Sequence, residues 1–316
     1  MRVGLDFGTT NSSAAVYDGS RLTLLPLDPV SSSPSILRST LFITREGAAY
    51  IGRAAINHFT EGNVGREVVY EWKYLGDAEM TFAELGTQQQ ALYVKVEVNA
   101  PGRLFRSLKT GLRDRSFRHT NVFGISYSLE ELIAIVLRLI YERIEASIGQ
   151  KVTGMVIGRP VHYAASREAD ALAFERMQAA CRLAELPGVT FLDEPIGAAL
   201  AYAREVRSAQ HALVFDFGGG TLDVTIMRLD GRGRRQFIAT DGVPVGGDLL
   251  DQRLVMGRLM PHFGEGATLG ARRLPFPTHV LEHLSEWQTI SDMTQPKYPF
   301  KGRFFFMPRP EAVAPT

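Results

Sequence analysis

The 316 residues are 45% apolar and 22% charged, a balance that supports packed cores and excludes a disordered chain, while the length suggests two domains or lobes. A formal net charge of +1 leaves no electrostatic footprint for a nucleic acid or a polybasic membrane contact. A lone cysteine, Cys181, excludes an intramolecular disulfide and a cysteine-held zinc. The opening MRVGLDFG lacks the apolar core of a signal peptide, and the run LIAIVLRLIY is broken by Arg138 before it could span a membrane. The expectation is a soluble, cytoplasmic protein.

In chain order, Arg2 to Asp6 reads as a buried strand, Ser12 to Tyr17 as a second, Asp18 to Ser20 as a hairpin turn and Arg21 to Leu27 as a third strand. Residues 29 to 120 are less regular. Turn signals, the glutamines Gln88 to Gln90 and the strand-like ALYVKVEV read as an inserted subdomain. A helix follows. Ser128 is its N-cap, Glu131 closes a capping box, Leu132, Ile135, Val136, Leu139 and Ile140 keep helical spacing, and Gly149 ends it. Val152 to Gly158 is a buried strand and residues 164 to 185 an Ala-rich helix. Val189 to Leu192 is another strand, and Pro195 opens a helix running to about Val206. A strand then leads to Asp216. TLDVTIMRL, the turn DGRGR and RQFIATDG repeat the opening strand–turn–strand–hairpin–strand order. VGGDLLDQRLVMGRLM turns glycines into a helix, and beyond Pro275 the pattern fades into a Pro- and Phe-rich tail.

The repeat carries chemistry. VGLDFGTTNSS (Val3 to Ser13) and LVFDFGGGTLDV (Leu213 to Val224) each bring a strand to an Asp, then Phe-Gly, then a Gly/Thr turn. Glycines let backbone N–H groups approach a phosphate, and threonine hydroxyls add donors. An aspartate repels a phosphate, so a hydrated Mg²⁺ between them accounts for it. Two such turns facing each other would clamp one polyphosphate from both sides.

The ordered set of motifs resembles the ATPase domain of the 70-kDa heat-shock (DnaK-type) chaperones, within the actin-like superfamily. It is carried by GLDFGTTNSS, VFDFGGGTLDVTI, FLDEPIGAALAYA, VGGDLLDQRLV and IGRPVHY; IGRP and LPFP are more similar to the divergent YegD-like branch. The match runs over roughly residues 1 to 28 and 125 to 285. The resemblance implies an α/β actin-like ATPase (ribonuclease-H-like) fold: two lobes with mixed β-sheets flanked by helices, the second incomplete. Residues 1–207 would form lobe I, with an inserted subdomain at about 29–120, and 208–316 a truncated lobe II. It implies Mg-ATP binding and slow hydrolysis in a chaperone-like protein, with ATP or ADP and Mg²⁺ as cofactors and co-chaperones as protein partners. Asp6 and Asp216 would orient Mg²⁺-bound waters, and Glu194 would hold another. Gly8, Thr9, Thr10 and Asn11 would contact phosphates from lobe I, and Gly218, Gly219, Gly220 and Thr221 from lobe II. Gly246 and Gly247 would lie close to the nucleotide, Asp223 would be a polar support, and Pro160 and Pro195 would relay nucleotide state. The family's γ-phosphate lysine is assigned to Lys109 in RLFRSLKTGLRD, with Lys73 in YEWKYLGD as the alternative.

The family's domain continues further. No adenosine-binding glycine motif follows Gly247, and no peptide-binding β-sandwich or lid is present, so no client-peptide site is expected in this chain. A half-built lobe II would expose apolar sheet edge and helix face. Three alternatives stay open: a non-hydrolysing pseudo-ATPase that binds a partner, a sugar-kinase-like phosphotransferase, which EPIGAALAY disfavours, and a truncated product without function. HVLEH (His279 to His283) matches an inverted zinc-protease spacing but is short enough to arise by chance. No GxxxxGK[ST] occurs, which excludes a P-loop enzyme. Cys181 reads as a small core residue, and Phe304 to Phe306 as either a partner patch or an artificial tail.

Overall fold

The structure is a computed structural model that describes residues 1–82, 86–204, 206–230, 235–269, 273–276 and 278–285. Most of the DGRGR turn and the tail with Phe304 to Phe306 lie outside the described residues. The chain starts with β1 (Arg2–Phe7), β2 (Asn11–Tyr17), β3 (Leu22–Leu24), β4 (Leu37–Arg38), β5 (Thr40–Thr44), β6 (Ala49–Ile51) and α1 (Arg53–Asn63). Next come β7 (Tyr70–Phe82), β8 (Gly86–Glu97), β9 (Gly102–Arg106), the short α2 (Leu108–Gly111), β10 (His119–Val122) and β11 (Ile125–Ser128). Then follow α3 (Leu129–Ile148), β12 (Gly154–Arg159), α4 (Arg167–Leu183), β13 (Val189–Asp193) and α5 (Glu194–Ala203). The remainder is β14 (Gln210–Phe217), β15 (Leu222–Leu229), β16 (Arg235–Val243), α6 (Gly247–Leu254), β17 (Thr268–Leu269), β18 (Leu274–Pro275) and α7 (Thr278–Ser285). Contacts divide the chain into two compact units, Met1–Glu61 with Gly102–Leu250, and Gly62–Pro101 with the described residues from Asp251 onward.

The first unit is built on a mixed sheet in the order β13-β12-β1-β2-β3, with β4 also paired to β2. Period-two alternation buries Val3, Leu5 and Phe7 on one face of β1 and turns Gly4 and Asp6 to the other. The buried face packs on α3. Leu132, Ile133, Val136, Leu137, Ile140 and Ile144 supply its apolar stripe. The ends of α3 follow the sequence reading. Ser128 Oγ accepts from the Glu131 N–H, Glu131 caps the Ser128 N–H in return, and Gly149 stops the helix in the left-handed region (φ 65°). Strands β1, β12 and β13 run parallel. Their carboxyl ends therefore share one edge of the sheet, the position where open α/β sheets place ligands.

Three smaller sheets belong to this unit, one of them the hairpin of β10 and β11. In the order β6-β5-β9, three antiparallel strands lead into α2. In the order β14-β15-β16, three antiparallel strands carry α5 on one face, where Ala199 meets Ala212, Met227 and Leu229. The other face is open: Leu213 is 65% and Phe215 63% exposed, and Phe217 and Ile226 join them. This is an exposed sheet face, not the sheet edge and helix face named from the sequence.

The second unit holds a long antiparallel ribbon, β7 against β8, in register from Tyr70↔Glu97 to Phe82↔Gly86 with an irregularity at Tyr74/Gly76. Tyr74 and Tyr93 face each other across it with ring centroids 5.4 Å apart. Arg66 fastens its base by donating to Asn99 Oδ1 at 2.8 Å and Asn63 Oδ1 at 3.0 Å, and by pairing with Glu97. The HVLEH stretch lies on α7, where Val280 is buried against Phe276 and Leu284.

Candidate functional site

The two glycine turns stand face to face within the first unit. None of Gly8, Gly218, Gly219, Gly220 and Gly246 has a positive φ, so backbone handedness is not what selects glycine there. Space selects it. A Cβ on Gly219 would overlap Thr10 Oγ1, and one on Gly220 would sit 2.8 Å from Thr9 Oγ1. A Cβ on Gly246 would lie 2.5 Å from the carbonyl carbon and oxygen of Gly219 and 2.6 Å from the nitrogen of Gly220. Backbone approaches backbone at a distance only hydrogen permits. The start of α6 is stitched to the second turn, with Gly247 N–H donating to Gly218 O at 3.0 Å and Asp248 N–H to Gly219 O at 2.9 Å.

The first turn has its own fastening, which sequence reasoning missed. Ser39, buried between β4 and β5, donates Oγ–H to Gly8 O at 2.7 Å and its N–H to Thr10 O at 2.9 Å. Its hydroxyl also lies 3.0 Å from that of Ser12. Nothing in ILRST marks this serine, because its partners are carbonyls about thirty residues earlier.

The charged groups gather at the carboxyl ends of the parallel strands. Asp6 is the penultimate residue of β1, Pro160 follows β12, and Glu194 with Pro195 opens α5 straight after β13. Lys109 arrives from α2. Ser107, in the left-handed region at φ 51°, turns the chain into that helix. The buried Lys109 ammonium then donates to Glu194 Oε1 at 2.6 Å. Burial alone would depress the Lys109 pKa. Glu194, with smaller help from Tyr163 and Asp6, outweighs it, so the lysine is held protonated. Lys73, the alternative, is an exposed residue of β7 in the second unit. Arg176 of α4 holds the loop after α2 by donating to the carbonyls of Leu112 (3.3 Å), Asp114 (2.8 Å) and Phe117 (2.9 Å), with Nε 3.2 Å from Glu130.

The carboxylates feel one another. Asp6 lies open on its strand face yet is crowded by protein. Its pKa is raised to about 6, first by burial and then by Glu194, with Lys109 opposing and Asp216 adding. Asp216, at the end of β14, is also raised by burial and by Glu194, again against Lys109. Asp223 is paired with Asp216 across β14 and β15 and buried. It accepts the Val161 N–H at 2.8 Å and a bond from the Thr221 hydroxyl, so it ties the segment after β12 to the second turn. Burial raises its pKa, and those two bonds offset part of the rise.

Three hard oxygen donors, Asp6, Asp216 and Glu194, whose mutual repulsion Lys109 partly relieves suit a divalent cation such as Mg²⁺. Among the described residues no three Asp, Glu, His or Cys side chains converge tightly enough to ligate a metal directly. The crowding of Asp6, Asp216 and Glu194 suits an ion held through its water shell, as Mg²⁺ characteristically is. The structure brings together Asp6, Gly8, Thr9, Thr10, Lys109, Glu194, Asp216, the turn Gly218 to Thr221, and Gly246 with Gly247. Asn11, the first residue of β2, is exposed beside them.

Comparison with known proteins follows the same line. Residues 2–272 match the family model described as Hsp70 protein. The chain is 30% identical over 255 residues to the chaperone protein dnaK of Cyanidioschyzon merolae, covering 80% of this chain and 38% of that protein. It is 31% identical over 255 residues to the chaperone protein HscA homolog of Laribacter hongkongensis, covering 80% and 36%. It is 32% identical over 257 residues to the chaperone protein DnaK of Thermus thermophilus, covering 80% and 37%. The chain thus spans less than two-fifths of the length of these relatives. Among its described residues, no helix is long and apolar enough to cross a membrane.

Proposed function

The chain belongs to the Hsp70 family, and from that premise we propose that it binds Mg-ATP between its two glycine turns and hydrolyses it slowly. The observation that carries this reading is the pairing of Lys109 with Glu194 at 2.6 Å beside Asp6 and Asp216, where two space-limited glycine turns meet. Gly8, Thr9, Thr10 and Asn11 bind the β- and γ-phosphates from one side and Gly218 to Thr221 from the other. Gly246 and Gly247 close the wall near the nucleotide. Asp6, Asp216 and Glu194 hold Mg²⁺ through its waters, and when bound the ion neutralises phosphate charge.

Lys109 supplies a fixed positive charge where negative charge develops as water attacks the γ-phosphorus in line. Glu194 orients that lysine and keeps it protonated. Nucleotide state passes through Pro160, Pro195 and the Asp223–Val161 bond into the two lobes, residues 1–207 and 208–316, whose closure reports which nucleotide is bound. Co-chaperone-like proteins that read this closure are the protein partners, and the setting is the cytosol.

A thermal melt of the full chain with millimolar Mg-ATP or Mg-ADP tests the binding step, because a ligand of the folded form raises the midpoint. The reading expects a rise that Asp216→Asn removes. A cooperative melt unmoved by either nucleotide would replace it with a partner-binding module that does not use ATP.

A further inference from the structure

The ribbon of β7 and β8 carries an aromatic face that the proposed clamp does not use. Trp72 is 70%, Tyr93 58% and Tyr74 50% exposed. Alternation along the strand puts Trp72 and Tyr74 on one side, and Tyr93 stands opposite Tyr74 in register, with ring centroids 5.4 Å apart. Beyond Tyr74 the register slips by one residue, so that Gly76 faces Leu92 and Asp77 faces Ala91. That bulge changes the side on which the following residues emerge. Asp77 and Glu79, which unbroken alternation would send to the opposite side, join the aromatics instead. The Tyr74 hydroxyl donates to the Asp77 carboxylate, which puts both groups together. The face thus runs from a Trp–Tyr–Tyr cluster to two exposed carboxylates, with Lys95 opposite Trp72 at the other end.

Rings this exposed leave apolar area in water that a docked segment would cover. Neighbouring flat rings suit proline, whose own ring is apolar and whose extended backbone loses little entropy on docking. The chain contains such a segment. Residues 296–303 read PKYPFKGR and lie outside the described residues. Their Pro-x-x-Pro spacing sets Pro296 and Pro299 on one edge of a polyproline II helix about 9 Å apart, near the separation of about 7 Å between alternate residues of a strand. Their charges are Lys297, Lys301 and Arg303, with no acidic residue. Helix α7, in the same compact unit as the ribbon, ends at Ser285. The ten residues between Ser285 and Pro296 reach about 35 Å when extended.

We propose that the aromatic face of the β7–β8 ribbon is a docking site for residues 296–301 of the same chain, with Pro296 on Trp72, Pro299 on the Tyr74–Tyr93 pair and Lys301 at Asp77 and Glu79. Charge fixes the direction, because the reverse orientation carries Lys301 away from both carboxylates and toward the Lys95 end.

Acrylamide quenching of Trp72 fluorescence in the full chain tests this, with Trp287→Phe removing the second tryptophan. Docking covers one face of the Trp72 ring, so Pro296→Ala combined with Pro299→Ala should steepen quenching about twofold. Lys301→Glu should steepen it as well, and adding Asp77→Lys and Glu79→Lys to that variant should restore the shielding. A synthetic peptide of residues 294–303, added to the double proline variant, should restore it in trans. Shielding is expected to be independent of protein concentration. Equal quenching with and without the two prolines, or no shielding by the peptide, overturns the proposal. Shielding that strengthens with protein concentration also overturns it, since the segment would then be docking on a second copy.

Discussion

Gly246 and Gly247 are neighbours in sequence, both glycines at the start of α6, yet alanine should have opposite effects at the two. At Gly246 the added Cβ would lie 2.5 Å from the Gly219 carbonyl group and 2.6 Å from the Gly220 nitrogen. Those are backbone atoms of the second glycine turn, and they can yield only if the turn moves. Overpacking of this kind costs about 1–3 kcal/mol. The displaced turn also loses its bonds from Gly247 N–H and Asp248 N–H. At Gly247 the Cβ would find Gly218 O at 3.8 Å and Gly219 Cα at 3.9 Å, ordinary contacts, at a helical position without positive φ. Alanine there should be neutral or stabilising by about 0.4–1 kcal/mol, because it narrows the unfolded ensemble. Urea titration of both variants measures the stability difference, and the Mg-ATP melt shift measures the clamp. Gly246→Ala is expected to lose stability and most of the ATP shift, and Gly247→Ala to keep both. Equal behaviour of the two variants would refute the argument that backbone proximity, rather than glycine content, builds this wall.

Removing the Ser39 hydroxyl with Ser39→Ala should lower stability by about 1–2 kcal/mol, since Gly8 O and the buried Ser12 lose a partner; denaturant midpoints at matched slopes check it. Arg176→Lys should cost about 2 kcal/mol or more, because an ammonium cannot serve the spread of carbonyls from Leu112 to Phe117. That variant should also expose the α2 loop to limited proteolysis, whereas an unchanged digestion pattern would contradict the role given to Arg176. The raised pKa of Asp6 has a defined sign. The folded state binds more protons than the unfolded one between 3.8 and about 6, so the stability tied to this group is complete below 3.8 and is lost as pH climbs to about 6. Asp6→Asn should therefore melt progressively higher than wild type as pH rises through that window, and a difference independent of pH would refute the crowding of the three carboxylates.

The parts of this molecule that were legible in sequence are those whose causes are local. Ser128, Glu131 and Gly149 announce α3 because a capping box and a left-handed stop act within one turn of the helix. The twin DFG turns announce themselves because strand, aspartate and glycine are contiguous, and FLDEP marks the passage from β13 into α5. What stayed hidden depends on partners far away in the chain. The 2.6 Å bond from Lys109 to Glu194 spans 85 residues, and only the family resemblance pointed to that lysine. Ser39 and Arg176 act on distant carbonyls, which leave no sequence pattern. The ribbon β7–β8 was read only as strand-like over part of one arm. Its glutamines and mixed residues lack clean alternation, and its register is set by a pairing no local signal encodes.

The central claim is that Lys109, held by Glu194 between Asp6 and Asp216, serves cleavage of ATP. Its most direct test is a single-turnover experiment with excess full chain over γ-labelled ATP and Mg²⁺, quenched in acid, for wild type, Lys109→Ala and Asp216→Asn. The account predicts that wild type cleaves the label slowly but completely. Each variant should be slower by about 10²-fold or more, the usual cost of removing one charge-stabilising group. Equal rates in all three proteins, or no cleavage by a wild type that binds the nucleotide, would contradict it.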